Sequence, residues 1–199
     1  DPAAMNLKPK GLLLLSCAVS WAVAMAPAAE SFLCAGDDIL TVGDSITAQD
    51  AYQSMARQVL ESLYPGSGLQ LVNRGVGGMS ADGGVQVLRG YLAEKKPAIA
   101  TVMFGVNDTS WNASDEAAKV LAFTNSVGQC IALAKTNGLP LLLLRETHFS
   151  HGRTYGEWES GLNALLDKLQ AAEALLAKEQ DVPMIDIRRA YEAGLAEDR

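Results

Sequence analysis

Four polar or glycine-rich clusters stand out for the chemistry they could perform together: Gly43-Asp44-Ser45, Asn73-Arg74-Gly75-Val76-Gly77-Gly78, Gly105-Val106-Asn107-Asp108 and Arg145-Glu146-Thr147-His148. Ser45 carries a hydroxyl on a tight Gly-Asp turn. It is a candidate nucleophile and equally a candidate helix cap, the commoner use of serine in that position. Gly78 offers a backbone N–H with no side chain over it, and Asn107 offers a carboxamide N–H. Acyl transfer builds negative charge on a carbonyl oxygen, and one rigid donor about 3 Å away can contribute roughly 3 kcal/mol to its stabilisation. Each residue also has a bland reading, since glycine often only permits a turn and asparagine often only forms one. The two histidines of the chain, His148 and His151, lie together. No metal-ligand spacing is present.

The elements that must position these residues follow from the apolar pattern. Short apolar runs at Ile39–Val42, Leu69–Asn73, Ile99–Phe104, Leu139–Leu144 and Pro183–Ile187 predict five strands. Between the first two, Tyr52, Met55, Ala56, Val59, Leu60 and Leu63 recur at helical spacing and predict a helix. Further helices are predicted around Asp82–Lys95, from a cap at Ser114 to about Asn137, on the face marked by Trp158, Leu162, Leu165, Leu166, Leu169, Ala172 and Leu176, and over Arg188–Ala196. Strand–helix alternation with short loops predicts an α/β fold of three layers, a five-stranded parallel sheet between helices in flavodoxin-like order. In such a sheet ligands bind beyond the carboxyl ends of the strands. The first four strand ends carry the four clusters, so all are expected on one edge.

Gly43-Asp44-Ser45-Ile46-Thr47, Asn73-Arg74-Gly75-Val76-Gly77-Gly78-Met79-Ser80 and Gly105-Val106-Asn107-Asp108 together resemble blocks I, II and III of the SGNH hydrolases, also called GDSL lipases. The resemblance covers roughly residues 38–190. It implies a serine esterase or acylhydrolase of small carboxylic esters, short-chain acyl or sugar acetyl, working through an acyl-enzyme. Ser45 would be the nucleophile, and its own N–H, the Gly78 N–H and the Asn107 side chain would form the oxyanion hole, with Gly75 the rival to Gly78. Asp44 would support the serine turn and Asp108 would brace the turn that aims Asn107. The family uses no metal and no organic cofactor. It places its acid and base in one Asp-x-x-His motif after the fifth strand, and residues 188–199 hold no histidine. The triad Asp and His are therefore expected downstream of Arg199, in a chain read as C-terminally incomplete and nearly inactive at this length. His148 and His151 are conceivable substitute bases, but their place in the chain order argues against them. Asp186 is not nominated as the acid.

Other readings are weaker. A dinucleotide fingerprint in Gly75–Ser80 lacks its third glycine and follows the wrong strand, and no Gly-x-Ser-x-Gly elbow exists for a conventional α/β-hydrolase. The alternative from another class is a catalytically incomplete SGNH-fold module that binds an ester or glycan. Trp111, Phe149 and Tyr155 are candidate pocket aromatics.

The first residues form a separate region. After Met5 come Lys8 and Lys10, an apolar run Gly11–Ala26 and the small-residue site Ala26-Pro27-Ala28. This is the layout of a secretory signal peptide. Residues 1–28 are thus read as upstream sequence plus signal and 29–199 as the hydrolase domain, secreted or periplasmic. Membrane contact is expected only through the signal segment if uncleaved. Removing 1–28 takes away Asp1, Lys8 and Lys10 and moves the net charge from −7 to −8. An acidic chain argues against nucleic acid as partner and leaves a small-molecule or polysaccharide ester. Cys34 and Cys130 remain, either as a bridge formed in an oxidising compartment or as two buried free thiols.

Overall fold

The structure is a computed structural model, describing residues 33–148 and 156–189. Five parallel strands form one sheet in the order β2-β1-β3-β4-β5: β1 (Asp38–Gly43), β2 (Gln70–Gly75), β3 (Ile99–Met103), β4 (Leu141–Arg145) and β5 (Met184–Asp186). The helices are α1 (Ser45–Ala48), α2 (Ala51–Leu63), α3 (Ala81–Glu94), α4 (Glu116–Thr136) and α5 (Gly156–Glu179), with a 3-10 turn at Asn107–Thr109. This is the expected α/β fold and strand order. Register runs straight across the centre, with Thr41 opposite Asn73 and Thr101, and Thr101 opposite Leu142.

Alternation in the strands separates two faces. Leu40, Val42, Ala100, Val102 and Leu143 point to one face, fully buried. They pack with Val85 and Leu88 of α3, Phe123, Val127 and Ile131 of α4, and Leu165, Leu166 and Leu169 of α5. This layer is the hydrophobic core. α4 is long and apolar enough by composition to cross a membrane, yet that stripe of it is buried against the sheet. Strand one turns into α1 without a spacer, and Gly43 is what permits it: a Cβ there would stand 2.0 Å from Thr47 Oγ1. Gly75 allows the same closeness from the neighbouring strand, where a Cβ would meet the Ala48 N at 2.2 Å.

Several expectations need correction. The helix after β1 is two helices, and its sheet-facing side is not the whole predicted stripe. Met55, Val59 and Leu63 are 57–65% exposed, and Gln53 is the residue of α2 that is buried. Gln53 wins the place because its Nε2 donates to Thr47 O at 2.9 Å and Thr41 Oγ1 at 3.3 Å. Ser114 does not cap α4. Asp115 precedes that helix in the left-handed region, and Ser114 Oγ bonds to Asn112 Oδ1 at 2.6 Å. Strands β2 and β4 run further toward the site, to Gly75 and Arg145. Cys34 and Cys130 are both free. Cys34 is exposed, and burial pushes the Cys130 thiol up to about 12. Phe149, His151, Tyr155 and residues 190–196 of the last expected helix lie outside the described residues, as do residues 1–32, while residues 187–189 are helical.

Candidate active site

Three of the four clusters are knitted into one junction at the carboxyl edge of the sheet. Asp44 ends the turn after β1 with its Oδ1 accepting the Ile46 N–H at 2.9 Å, which caps α1. Its Oδ2 accepts from Asn107 Nδ2 at 2.9 Å, and the same nitrogen donates to Met79 O at 3.1 Å. Asn107 thereby ties the loop after β3 to the serine turn and to the residue next to Gly78. Asp108 completes the weave by accepting the Ala81 N–H at the start of α3, with both oxygens within 3.1–3.3 Å. Asp44 links the serine turn to the loop after β3. Asp108 braces the loop after β3 against α3.

Ser45 opens α1 and is half-buried. Its Oγ makes no hydrogen bond among the described residues. As the first residue of its helix, its N–H has no intrahelical acceptor. Gly78 is exposed at φ +76°, and its N–H likewise meets no acceptor among the described residues. The rival glycine is occupied, since the Gly75 N–H donates to Asn73 Oδ1 at 2.8 Å. Asn107 differs from its expected role in one respect: both carboxamide hydrogens already have protein acceptors. Turning its amide over would aim a carbonyl oxygen at those acceptors, so the orientation follows from its neighbours. The Ser45 and Gly78 N–H groups thus have no acceptor among the described residues, while the Asn107 carboxamide nitrogen is shared between Asp44 and Met79.

Burial raises the carboxyls beneath the junction. The Asp44 side chain is pushed up by loss of water, partly offset by the Ile46 N–H. Asp108 is pushed up to about 6 by burial, with the Asp44 charge adding to it. Glu146, fully buried after β4, accepts the Val106 N–H at 2.7 Å. Burial and the Asp44 charge hold it well above the usual carboxylate range.

Apart from Glu146, the fourth cluster diverges. His148 Nε2 pairs with Asp167 Oδ1 of α5 at 2.9 Å, and Arg188 Nη1 lies on the same oxygen. Arg145 reaches Gln170 Oε1 at 2.9 Å and Asp186 Oδ2 at 3.1 Å. Asp186 is thus a structural partner of Arg145. No hydrogen bond joins His148 to Ser45 among the described residues. Trp111 is 54% exposed on the loop after the 3-10 turn. Among the described residues no group of His, Cys, Asp and Glu is placed to hold a metal ion. Sequence reasoning gave no role to Gln53, Glu146 or Asp167. A glutamine inside an apolar helical stripe, and an acid directly after a buried strand, were the available signals for the first two.

The sequence profile of the GDSL-like Lipase/Acylhydrolase family matches residues 41–199. No curated protein matches the sequence. Among solved structures the chain is similar to Axe2, an acetylxylan esterase from Geobacillus stearothermophilus, with TM-score 0.63 and 18% identity over 82% of this chain and 81% of that one. It is similar to LAE5, an alpha/beta hydrolase enzyme from the metagenome of Lake Arreo, Spain, with TM-score 0.63 and 18% identity over 83% of each. It is also similar to BT4096, a gut microbial diltiazem-metabolizing enzyme, with TM-score 0.68 and 17% identity over 79% of this chain. The chain spans 38% of the length of that last protein. At these identities the likeness shows the fold.

Proposed function

The chain belongs to the GDSL-like lipase/acylhydrolase family, a family of hydrolases acting on ester bonds, and from that premise we propose that it is a serine esterase of small carboxylic esters working through an acyl-enzyme at Ser45. The observation that carries the reading is the junction of three loops. Asn107 binds the residues beside Ser45 and beside Gly78 at once, and the Ser45 and Gly78 backbone N–H groups have no acceptor among the described residues.

In this reading the Ser45 hydroxyl adds to the ester carbonyl carbon and gives its proton to a base. The Ser45 and Gly78 amides hold the resulting oxyanion, with Asn107 joining as its bond to Met79 O loosens. Collapse expels the alcohol and leaves the acyl group on Ser45, which water then releases. A base is required, because a serine hydroxyl is a poor nucleophile at neutral pH. The reading takes base and acid from an Asp-x-x-His pair following β5, as the resemblance implies. His148 is disfavoured because its Nε2 is engaged with Asp167. Short-chain acyl or sugar acetyl esters suit a half-buried serine at an open sheet edge. Export through the N-terminal segment would give the enzyme an extracytoplasmic substrate, such as a polysaccharide acetate.

The test, on a protein that carries the Asp-x-x-His pair, is hydrolysis of a short-chain nitrophenyl ester and of an acetylated xylo-oligosaccharide, with Ser45→Ala alongside. Loss of turnover in Ser45→Ala with unchanged thermal unfolding supports the reading. Equal turnover in both proteins would remove Ser45 as nucleophile. Turnover lost in His148→Gln would return that residue to the role of base.

A further inference from the structure

We propose that Trp111 is a stacking platform for a sugar ring of an acetylated oligosaccharide, presented beside the serine turn by a strained and tightly fastened loop. The proposal rests on the reading of this edge as the esterase site and names the alcohol side of its ester. Strand order places β2 and β3 on either side of β1. The loops after those two strands carry Val76 and Trp111, exposed by 50% and 54%. Both loops are fastened to the serine turn. The Val76 N–H donates to Gly43 O at 3.0 Å. On the other side, Asn107 O accepts the Ser110 N–H at 3.0 Å, while the Asn107 side chain holds Asp44 at 2.9 Å. Trp111 therefore follows directly on a turn anchored to the residue before Ser45.

The backbone singles Trp111 out. It stands at φ +55°, directly after Ser110 at φ +51°, and among the described residues it is the one apolar side chain at positive φ. A bulky residue rarely adopts the left-handed region, and such strain persists only where the surroundings over-determine it. Here they do. The Trp111 N–H donates to Thr109 Oγ1 at 3.3 Å, and that buried hydroxyl donates to Val106 O at 2.7 Å. On the far side Asn112 Nδ2 reaches back to Ser110 O at 2.9 Å. Lys119 Nζ of α4 donates to Asn112 O at 2.8 Å and to Asn112 Oδ1 at 2.6 Å. A loop held in this way has little freedom left to lose on binding. Its composition selects the ligand. Ser110, Asn112 and Ser114 flank the tryptophan and are exposed with it. A pyranose matches that pattern, with an apolar C–H face for the indole and hydroxyls for the polar rim. An alkyl chain would leave the polar groups of the rim against apolar surface.

Calorimetric titration with an acetylated xylo-oligosaccharide tests this, in a Ser45→Ala parent chosen to keep the ester intact. Trp111→Ala should weaken binding about tenfold, the upper range for one aromatic contact. Trp111→Tyr keeps a stacking face and should stay within about threefold of the parent. Leu175→Ala removes a comparably exposed side chain from α5 and should bind like the parent. Trp111→Asn separates recognition from packing, because asparagine suits the left-handed region. It should lose sugar affinity as Trp111→Ala does, with a thermal unfolding midpoint no lower than that of the parent. Equal affinity of the parent and Trp111→Ala for the oligosaccharide, or no binding by the parent, would overturn the proposal. So would octanoate affinity that falls in Trp111→Ala while sugar affinity holds, since the ring would then serve an acyl chain. A lower midpoint in Trp111→Asn with sugar affinity intact would make Trp111 a packing residue and overturn it as well. If nitrophenyl ester turnover survives Ser45→Ala, the functional reading fails, while the titrations still decide on Trp111.

Discussion

On the face of the sheet under α3, α4 and α5, strand residues Leu40, Val42, Ala100, Val102 and Leu143 are fully buried against Leu88, Phe123, Val127, Leu165 and Leu169. On the face under α2, the contact is built from hydrogen bonds. Gln53 reaches Thr41 and Thr47, the Thr41 hydroxyl donates to Val72 O at 3.3 Å, Tyr52 meets the Thr47 hydroxyl at 3.1 Å, and Asn73 Nδ2 donates to Thr47 O at 2.8 Å. Apolar burial is non-directional and supplies most of the driving force for folding. Hydrogen bonds contribute less net energy but fix direction. The first face therefore stabilises the domain, and the second holds α1, with Ser45 at its start, in one orientation.

The comparison breaks most visibly in the core. Leu88→Ala removes a fully buried side chain from α3 and should cost about 2–5 kcal/mol of stability, read from denaturant unfolding. At temperatures where the variant stays folded, ester hydrolysis should be close to wild type. A large loss of turnover in folded Leu88→Ala would show that the two faces are not separable.

A charged group also sits on the core side of α5. Glu173 is fully buried, with both carboxyl oxygens without a partner among the described residues, and burial pushes it up to about 8 from 4.5. A raised carboxyl contributes its stability below the unfolded value and loses it as pH rises through the folded one. Native protein should therefore weaken between about pH 4.5 and about pH 8. Asp108 adds the same sign over the lower part of that window, up to about 6. In Glu173→Gln the slope should flatten, and the pH-dependent gap between the two proteins should be on the order of a few kcal/mol. Equal slopes in urea unfolding at pH 5 and pH 8 would place the titrating group elsewhere.

The second face should show the opposite balance. Gln53→Ala removes the donor to Thr47 O, which Asn73 still serves, so stability should fall by only about 1–2 kcal/mol. Ester hydrolysis should fall more than proportionately, by roughly tenfold, because α1 is no longer held from below. Unchanged turnover would mean that Asp44 and Asn107 alone hold the serine turn.

This division explains what could be read from the sequence. Strand runs such as Leu141–Leu144 are apolar because they are buried, and apolar runs are legible without a structure. The site clusters were legible because a glycine at Gly43, a cap at Asp44 and an amide at Asn107 each have few other uses in that order. Gln53 and Glu146 were not, because their value lies in partners 12 and 40 residues away. The α2 stripe misled for a related reason. Met55, Val59 and Leu63 satisfy helical spacing as well as Tyr52, Ala56 and Leu60 do, and periodicity alone does not say which side of an apolar arc meets the sheet.

That ambiguity yields the smallest expected effect and a sharp check on the whole contrast. Met55, Val59 and Leu63 lie four residues apart along one edge of α2, each more than half exposed. Replacing Val59 by Lys or Leu63 by Ser removes little buried area, so each change should shift unfolding by no more than about 0.5 kcal/mol. Both side chains are more than half exposed, so turnover should hold as well. A loss of stability comparable to that of Leu88→Ala would require these residues to be covered in the folded protein. The polar layer at Gln53 would then be the inner rim of a second hydrophobic layer, and the contrast between the two faces would disappear.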